Sequence, residues 1–224
     1  MTAGVTAATL LARADALLLD FDGPLAALMP PPVNAQAADI TRAALEAAQL
    51  PGDIAATTDH LAVLRYVLEH RPELVDQVEG ACTDAEIEAA GHCAPSAQAH
   101  MLFAYARRRA LPTAIVSNNS EQAVRVFLDR HHWTRHVDAY ACRDSANVAG
   151  MKPSPLLLQT ALRELGAAPE SALFIGDTVS DVQAARAAGV PIVALGKDSH
   201  REAELEQAGA TITASLNDPD VFLV

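Results

Sequence analysis

An α/β fold built on a doubly wound, Rossmann-like parallel sheet is the architecture this sequence predicts, and three observations predict it. Short continuous apolar runs alternate with stretches of helical periodicity, which is how strands buried on both faces read in sequence. Three of the runs end in polar residues, Asp20, Ser117 and Asp177, as strands of an open sheet do when they deliver side chains to a crevice at their carboxyl ends. Between the first two runs, residues 25–94 contain no β-branched run, and this stretch is expected to be an inserted all-helical domain.

The elements follow in order. The first apolar run is Ala16-Leu17-Leu18-Leu19, ending in Asp20. In the inserted segment, residues 34–49 carry Ile40, Ala44, Leu45 and Ala48 at helical spacing, and residues 58–70 carry Leu61, Leu64, Val67 and Leu68 the same way. A third helix is expected over residues 83–90, with Thr83 as its cap and Glu86 completing a capping box. Prolines and Pro51-Gly52 punctuate the segment. The second strand is Thr113-Ala114-Ile115-Val116, and a helix over 120–130 follows an N-cap. A helix over 154–165 has Pro155 in its first turn and stops at Gly166. The remaining strands are Ala172-Leu173-Phe174-Ile175, then Pro191 to Leu195, then Thr211 to Thr213. The helix over 180–188 ends at Gly189 with Pro191 just beyond. The division expected is a catalytic core of residues 1–24 and 95–224, with a cap of residues 25–94.

Composition narrows the function. With 16 Lys and Arg against 28 Asp and Glu, the net charge is −12, which argues against a non-specific grip on nucleic acid. No apolar run reaches the ~18–20 residues that span a bilayer, and the N-terminus lacks the basic start of a secretory signal. Three cysteines, Cys82, Cys93 and Cys142, make no disulfide framework, so a reducing cytoplasm is the expected location. Arg107-Arg108-Arg109 reads as a solvated helix face, and His131-His132-Trp133 as a helix end.

The chemistry gathers where the strands end. Asp20-Phe21-Asp22-Gly23 sets two carboxylates two residues apart, with Gly23 to turn the chain away. One can attack a phosphorus centre and the other can serve as acid and base. Asp177 follows the strand at 172–175, and Asp181 lies four residues later in the first turn of a helix. With Asp20 they form an oxygen-rich pocket suited to a hard cation such as Mg²⁺. Ser117 and Asn118 add donors beside a helix N-terminus, where anions are favoured. Lys152, one of only two lysines, adds a fixed positive charge.

In order along the chain, DFDG at 20–23, Ser117-Asn118, Lys152 in KPSP, and GDTVSD followed by VQAARAAGV resemble the four motifs of the haloacid dehalogenase superfamily. The likeness is to its phosphatase-type members with a helical (C1-type) cap, of the phosphoglycolate phosphatase kind, and covers nearly the whole chain. Pro24 departs from the threonine or valine common at that point, and the cap segment carries no matching motif. The resemblance implies that Asp20 is the nucleophile and that Asp22 protonates the leaving oxygen and then activates water, which requires a raised pKa. It implies Mg²⁺ held by the Asp20 carboxylate, the Asp22 carbonyl and Asp177, with Asp181 in support. Ser117, the Asn118 backbone and Lys152 would hold the phosphoryl oxygens. The function implied is a Mg²⁺-dependent phosphatase acting on a small phosphorylated metabolite. A phosphohexomutase of the same superfamily and a non-catalytic phosphometabolite-binding module stay open. Asp22 disfavours the dehalogenating members, and the lack of lysine before residue 152 disfavours the phosphonate-cleaving ones. Arg42, His60, Arg65, His70 and Arg71 are the cap residues able to meet an anionic leaving group. Oligomeric state is not legible.

Overall fold

The computed structural model describes residues 6–45, 50–218 and 221–222. Among them, six strands form one sheet: β1 Ala16–Leu19, β2 Thr113–Ser120, β3 Ala139–Arg143, β4 Ala172–Gly176, β5 Ile192–Gly196 and β6 Ile212–Ser215. Their order is β3-β2-β1-β4-β5-β6 and every pairing is parallel. This is a doubly wound, Rossmann-like sheet, whose winding reverses beside β1 and opens a crevice at the carboxyl ends of the central strands. Leu19 pairs with both Ile115 of β2 and Ile175 of β4, so Asp20, Ser117 and Asp177 leave the sheet at nearly one level.

The helices are α1 Ala7–Arg13, α2 Val33–Ala43, α3 Gly52–Ala56, α4 His60–His70, α5 Val75–Ala90, α6 Ala99–Arg109, α7 Glu121–Arg130, α8 Leu156–Leu165, α9 Val179–Ala188 and α10 Ser199–Ala208. Strand alternation divides the core. Leu17, Leu19, Ile115, Ile175 and Val193 pack with α1, α6 and α7 on one face. Ala16, Leu18, Val116, Phe174 and Ile192 pack with α8, α9 and α10 on the other. Two-sided cover explains why β1, β2, β4 and β5 are buried at every position and read as apolar runs.

The expected strands are all present, and β3 is an addition. Its sequence, Ala-Tyr-Ala-Cys-Arg, alternates buried and half-buried positions at the sheet edge and has no branched aliphatic residue to mark it as a strand. In the inserted layer, α2 ends at Ala43, earlier than the periodicity suggested. Residues 46–49, including Ala48, lie outside the described residues. Ile40 is exposed, not part of a buried stripe. The helix expected from residue 83 starts at Val75, so Thr83 lies mid-helix and caps nothing.

Helices α2 to α5 lie between β1 and β2 and bury a small core of Leu45, Val63, Leu64, Val67, Val78 and Cys82. Val148 and Met151, from the segment leading to Lys152, pack into the same cluster. The two crossings between the inserted layer and the sheet run side by side, with Ala27 N donating to Ala94 O at 3.1 Å and Ser96 N to Leu25 O at 2.9 Å.

A buried ionic network then ties α5 to the sheet. Glu86 of α5 and Arg143 of β3 are both wholly buried at the side chain. Arg143 Nη1 donates to Glu86 Oε1 at 2.6 Å and Nη2 to Oε2 at 3.1 Å, while Nε reaches Glu79 at 3.1 Å and Nη2 reaches Thr83 Oγ1 at 3.0 Å. Burial alone would raise the Glu86 pKa. The His60 hydrogen bond and the Arg143 charge outweigh it and bring the group from the usual 4.5 down to about 2.

Removing one partner of a buried pair strands the other charge, so Arg143→Leu should cost about 3–5 kcal/mol in urea unfolding. A depressed carboxyl stabilises above its unfolded pKa and loses that contribution as pH falls through its folded one. Glu86 therefore stabilises fully above about pH 4.5 and not at all below about pH 2. Stability curves of wild type and Glu86→Gln should converge across that window; parallel curves would contradict the assignment.

Candidate active site

The site is built where β1, β2 and β4 end. Asp20, the first residue after β1, accepts from the Phe21 N–H at 2.7 Å, which fixes its carboxylate. Asp22 turns into the same cleft, and its Oδ1 accepts from Leu28 N at 2.9 Å. Gly23 follows with φ +99°, and a Cβ there would stand 2.5 Å from the Asp177 carboxylate. Only glycine lets the loop after β1 lie against the residue after β4.

Asp181 is placed by a capping box. The Thr178 hydroxyl accepts from Asp181 N, while Asp181 Oδ2 accepts from Thr178 N at 2.9 Å and Asp177 N at 3.1 Å. Its other oxygen lies 2.6 Å from Lys152 Nζ. The same ammonium is 2.8 Å from Asp20 Oδ1 and donates to Val116 O at 3.0 Å. Asn118 grips the Lys152 backbone from both sides: its Oδ1 accepts from Lys152 N at 2.7 Å and its Nδ2 donates to Lys152 O at 3.0 Å.

Burial drives the acid–base behaviour of this cluster. It raises Asp20 to about 7, helped by the Asp181 charge and opposed by Lys152. It raises Asp177 well above the carboxylate range, with Asp20 and Asp181 adding repulsion. It also raises Asp22 over the opposing Leu28 hydrogen bond. For Asp181, burial is outweighed by the Lys152 charge and hydrogen bond and by Thr178, so this group is lowered. Burial likewise opposes the Lys152 charge, but Asp181 and Asp20 hold the ammonium above its usual value.

One oxygen from each of Asp20, Asp177 and Asp181 falls within 4.8 Å of the others, a set that can hold a metal ion. Asp177 Oδ1 is buried with no hydrogen-bond partner in the protein. An orphaned carboxylate oxygen in an all-oxygen cluster fits a hard divalent cation.

A cleft of about 570 Å³ opens over these groups. Asp20, Asp22, Asn118, Lys152 and Asp177 line its floor, and His60 and Arg65 of α4 line the facing wall. Ser117 does not reach the cleft. Its hydroxyl is buried, donating to Asn119 Oδ1 and accepting from Asn119 N, both at 3.1 Å, and Asn119 lines the cleft in its place. Of the five cap residues expected to be able to meet an anionic leaving group, only His60 and Arg65 face the cleft. Arg42 binds Thr57 O and Asp39, His70 stacks on Tyr66, and Arg71 pairs with Glu73. Arg201 of α10, beyond every motif read in the sequence, joins the rim. Glu86 was legible only as a helix cap, and Arg143 only as one of many arginines. The available signal was an arginine closing an otherwise uncharged edge strand.

Fold and site define a Rossmann-like α/β protein with a carboxylate–lysine centre at the carboxyl ends of its central strands. The chain belongs to the haloacid dehalogenase-like hydrolase family, whose pattern matches residues 14–189. It is similar to a phosphoglycolate phosphatase of Xylella fastidiosa, 38% identical over 113 residues covering 48% of each chain. It is also similar to phosphoglycolate phosphatase 1 of Pseudomonas aeruginosa, 32% identical over 50% of this chain and 41% of that one. The chain spans about half the length of the curated relatives it matches. Among solved structures, CbbY from Rhodobacter sphaeroides in complex with phosphate superposes with a TM-score of 0.70 at 25% identity, covering 92% of this chain and 96% of that one. A hydrolase from Pseudomonas syringae, at 21% identity and a TM-score of 0.69 over 92% and 94% of the chains, shares the fold. Among the described residues no helix is long and apolar enough to cross a membrane.

Gly23→Ala should force the Asp177 carboxylate aside and add a strain of about 1–3 kcal/mol from the positive φ. Its signature is a loss of Mg²⁺-dependent thermal stabilisation larger than the loss seen in EDTA. Equal losses in both conditions would show that Gly23 serves the loop alone.

Proposed function

We propose that the protein is a Mg²⁺-dependent phosphatase that hydrolyses a small phosphorylated metabolite through a phosphorylated Asp20. The observation that carries this reading is the Asp20 carboxylate, held 2.8 Å from the Lys152 ammonium in a cleft it shares with Asp22 and Asp177. Asp20, Asp177 and the Asp22 carbonyl would hold Mg²⁺, with Asp181 in support, and the bound ion would offset the repulsion between carboxylates and phosphate.

In the first half-reaction an Asp20 oxygen bonds to phosphorus as the phosphorus–leaving-group bond breaks. Asp22 gives its proton to the departing oxygen, a role consistent with burial raising its pKa over the opposing Leu28 and Met29 backbone hydrogen bonds. In the second half, Asp22 takes a proton from water as the water oxygen attacks phosphorus. The bond from phosphorus to Asp20 breaks and frees the carboxylate. Lys152 neutralises charge on the phosphoryl oxygens and orients Asp20. Asn118 fixes Lys152, and Ser117 acts from behind through Asn119.

Residues 25–94 are taken as the cap and residues 1–24 and 95–224 as the core. His60 and Arg65 would meet the leaving group, which limits substrates to small esters. The names of relatives matched over about half their length make 2-phosphoglycolate the first ester to test. The sparse, unpaired thiols, all free in the structure, support a reducing cytoplasm as the location.

Phosphate release from a metabolite panel should require Mg²⁺ and stop with EDTA. Asp20→Asn should abolish turnover, and Asp22→Asn should slow it about 10²–10⁴-fold. Appreciable activity in Asp20→Asn, or full activity after chelation, would overturn the mechanism. Isomerisation of a sugar phosphate without net release would replace hydrolysis by mutase chemistry. Arg65→Ala should change KM unequally among esters of different leaving groups; a uniform change would remove Arg65 from the specificity wall.

A further inference from the structure

The catalytic reading leaves one buried charged pair, Glu86 with Arg143, without a task beyond packing. Glu86 gives its carboxylate to four donors on three elements. Oε1 is 2.9 Å from His60 Nε2 and accepts from Arg143 Nη1 at 2.6 Å. Oε2 accepts from Ser120 N at 2.7 Å and from Arg143 Nη2 at 3.1 Å. Arg143 Nη1 also donates to Asn118 O at 2.8 Å. A purely structural ion pair is complete once the guanidinium fork meets the carboxylate. Here both ends of the network run on to the catalytic cleft. His60 stands in its wall, and Asn118 lies on its floor, gripping Lys152.

The geometry is stiff. The bidentate fork fixes the carboxylate plane, and burial in low dielectric strengthens every bond it makes. An ionised carboxylate accepts only, so His60 Nε2 must carry the proton, which sets the orientation of the ring in the cleft wall. The position of Asn118 is set from the same point, through the Arg143 bond to its carbonyl and the Glu86 bond to Ser120 N–H.

We propose that Glu86 is a positioning residue of the active site, a single carboxylate that registers the leaving-group wall at His60 against the phosphate-facing segment at residues 118–120. The proposal rests on the phosphatase reading for its catalytic arm. Its consequence is that the two ends of a bound ester are coupled: disturbing Glu86 loosens both, whereas disturbing His60 loosens one.

Two readouts separate the branches. Inorganic phosphate binding, measured by calorimetry with Mg²⁺ present, reports on the 118–120 segment and needs no turnover. KM and kcat for 2-phosphoglycolate, or for whichever ester the panel selects, report on both ends. Glu86→Gln keeps the side-chain shape and removes the charge. It should weaken phosphate binding about tenfold and raise KM at least as much, the loss expected of one charge-assisted hydrogen bond. His60→Ala should raise KM while leaving phosphate affinity within about twofold. In the double variant the KM penalties should combine to less than their product, because Glu86 acts on the leaving group through His60. Should Glu86→Gln fail to fold, Glu86→Asp keeps the charge but retracts the carboxylate by one methylene, and carries the same two readouts. A lowered melting temperature with unchanged phosphate affinity and KM would make Glu86 structural only and overturn the proposal, as would an unchanged KM in His60→Ala. If wild type binds phosphate but turns over no ester, the phosphatase reading falls while the calorimetric arm still judges Glu86.

Discussion

The buried ammonium of Lys152 is the constraint on which the site depends. Asp20, Asp177 and Asp181 converge within 4.8 Å, an arrangement that mutual repulsion and lost hydration both oppose. Lys152 is only 2% exposed and touches two of the three, at 2.8 and 2.6 Å, with the Phe174 ring 5.4 Å away. A lysine this enclosed keeps its charge only because the carboxylates surround it, and the carboxylates tolerate each other because it stands between them. The rest of the local architecture serves that exchange. The Thr178 capping box aims Asp181, Gly23 makes room for Asp177, and the Asn118 amide holds the lysine backbone by both its donor and its acceptor.

A second ionic centre, Glu86 with Arg143, lies between the inserted helices and the sheet and meets the first at Asn118. The Asn118 side chain holds Lys152, and its carbonyl accepts from Arg143. The inserted helices are therefore joined to the sheet by more than the two crossings near residues 25–27 and 94–96. Helix α5 is bound to β3 and to the end of β2 by buried charge, and the inserted core shares Val148 and Met151 with the segment that delivers Lys152. Any motion of α5 against the sheet would have to break buried charge-assisted bonds. Displacements of α2 and α3 over α5 avoid that cost, whereas α4 is held to Glu86 through His60.

What the sequence disclosed follows from how each element is buried. Strands covered on both faces become continuous apolar runs, so β1, β2, β4 and β5 were legible, as was the switch point their polar ends define. Strand β3 sits at the sheet edge, where Tyr140 and Cys142 are half-buried and Arg143 is buried by pairing, and no hydrophobic pattern records a residue buried that way. The same blindness hid Glu86. Thr83 and Glu86 fit a capping box by spacing, yet both point into the Arg143 network from the middle of a 16-residue helix. Asp20 and Asp177 were legible because each follows a strand end directly. Ser117 was placed correctly on its strand, but its hydroxyl's preference for Asn119 depends on loop curvature that residue order does not encode.

The charge of the proposed site also explains why a strongly acidic chain can handle an anion. A net charge of −12 does nothing to steer a phosphate ester from afar, so recognition must be short-ranged. Burial raises Asp20 and Asp177, and a bound cation would hold them ionised; with Asp181 they would then contribute −3 and Lys152 +1. With Asp22 protonated, the balance is −2, which a divalent cation brings to zero and a monovalent one does not. The same arithmetic assigns a direction to Asp22. Ionising it before the ester arrives would return the site to net −1 against the incoming phosphate, so the burial that raises its pKa serves binding as well as proton transfer. In the proposed mechanism, once the leaving oxygen had taken the proton, that negative charge would lie on the base that next deprotonates water. In that mechanism a single buried carboxyl would link the charge needed to admit the ester to the charge needed to release the phosphate.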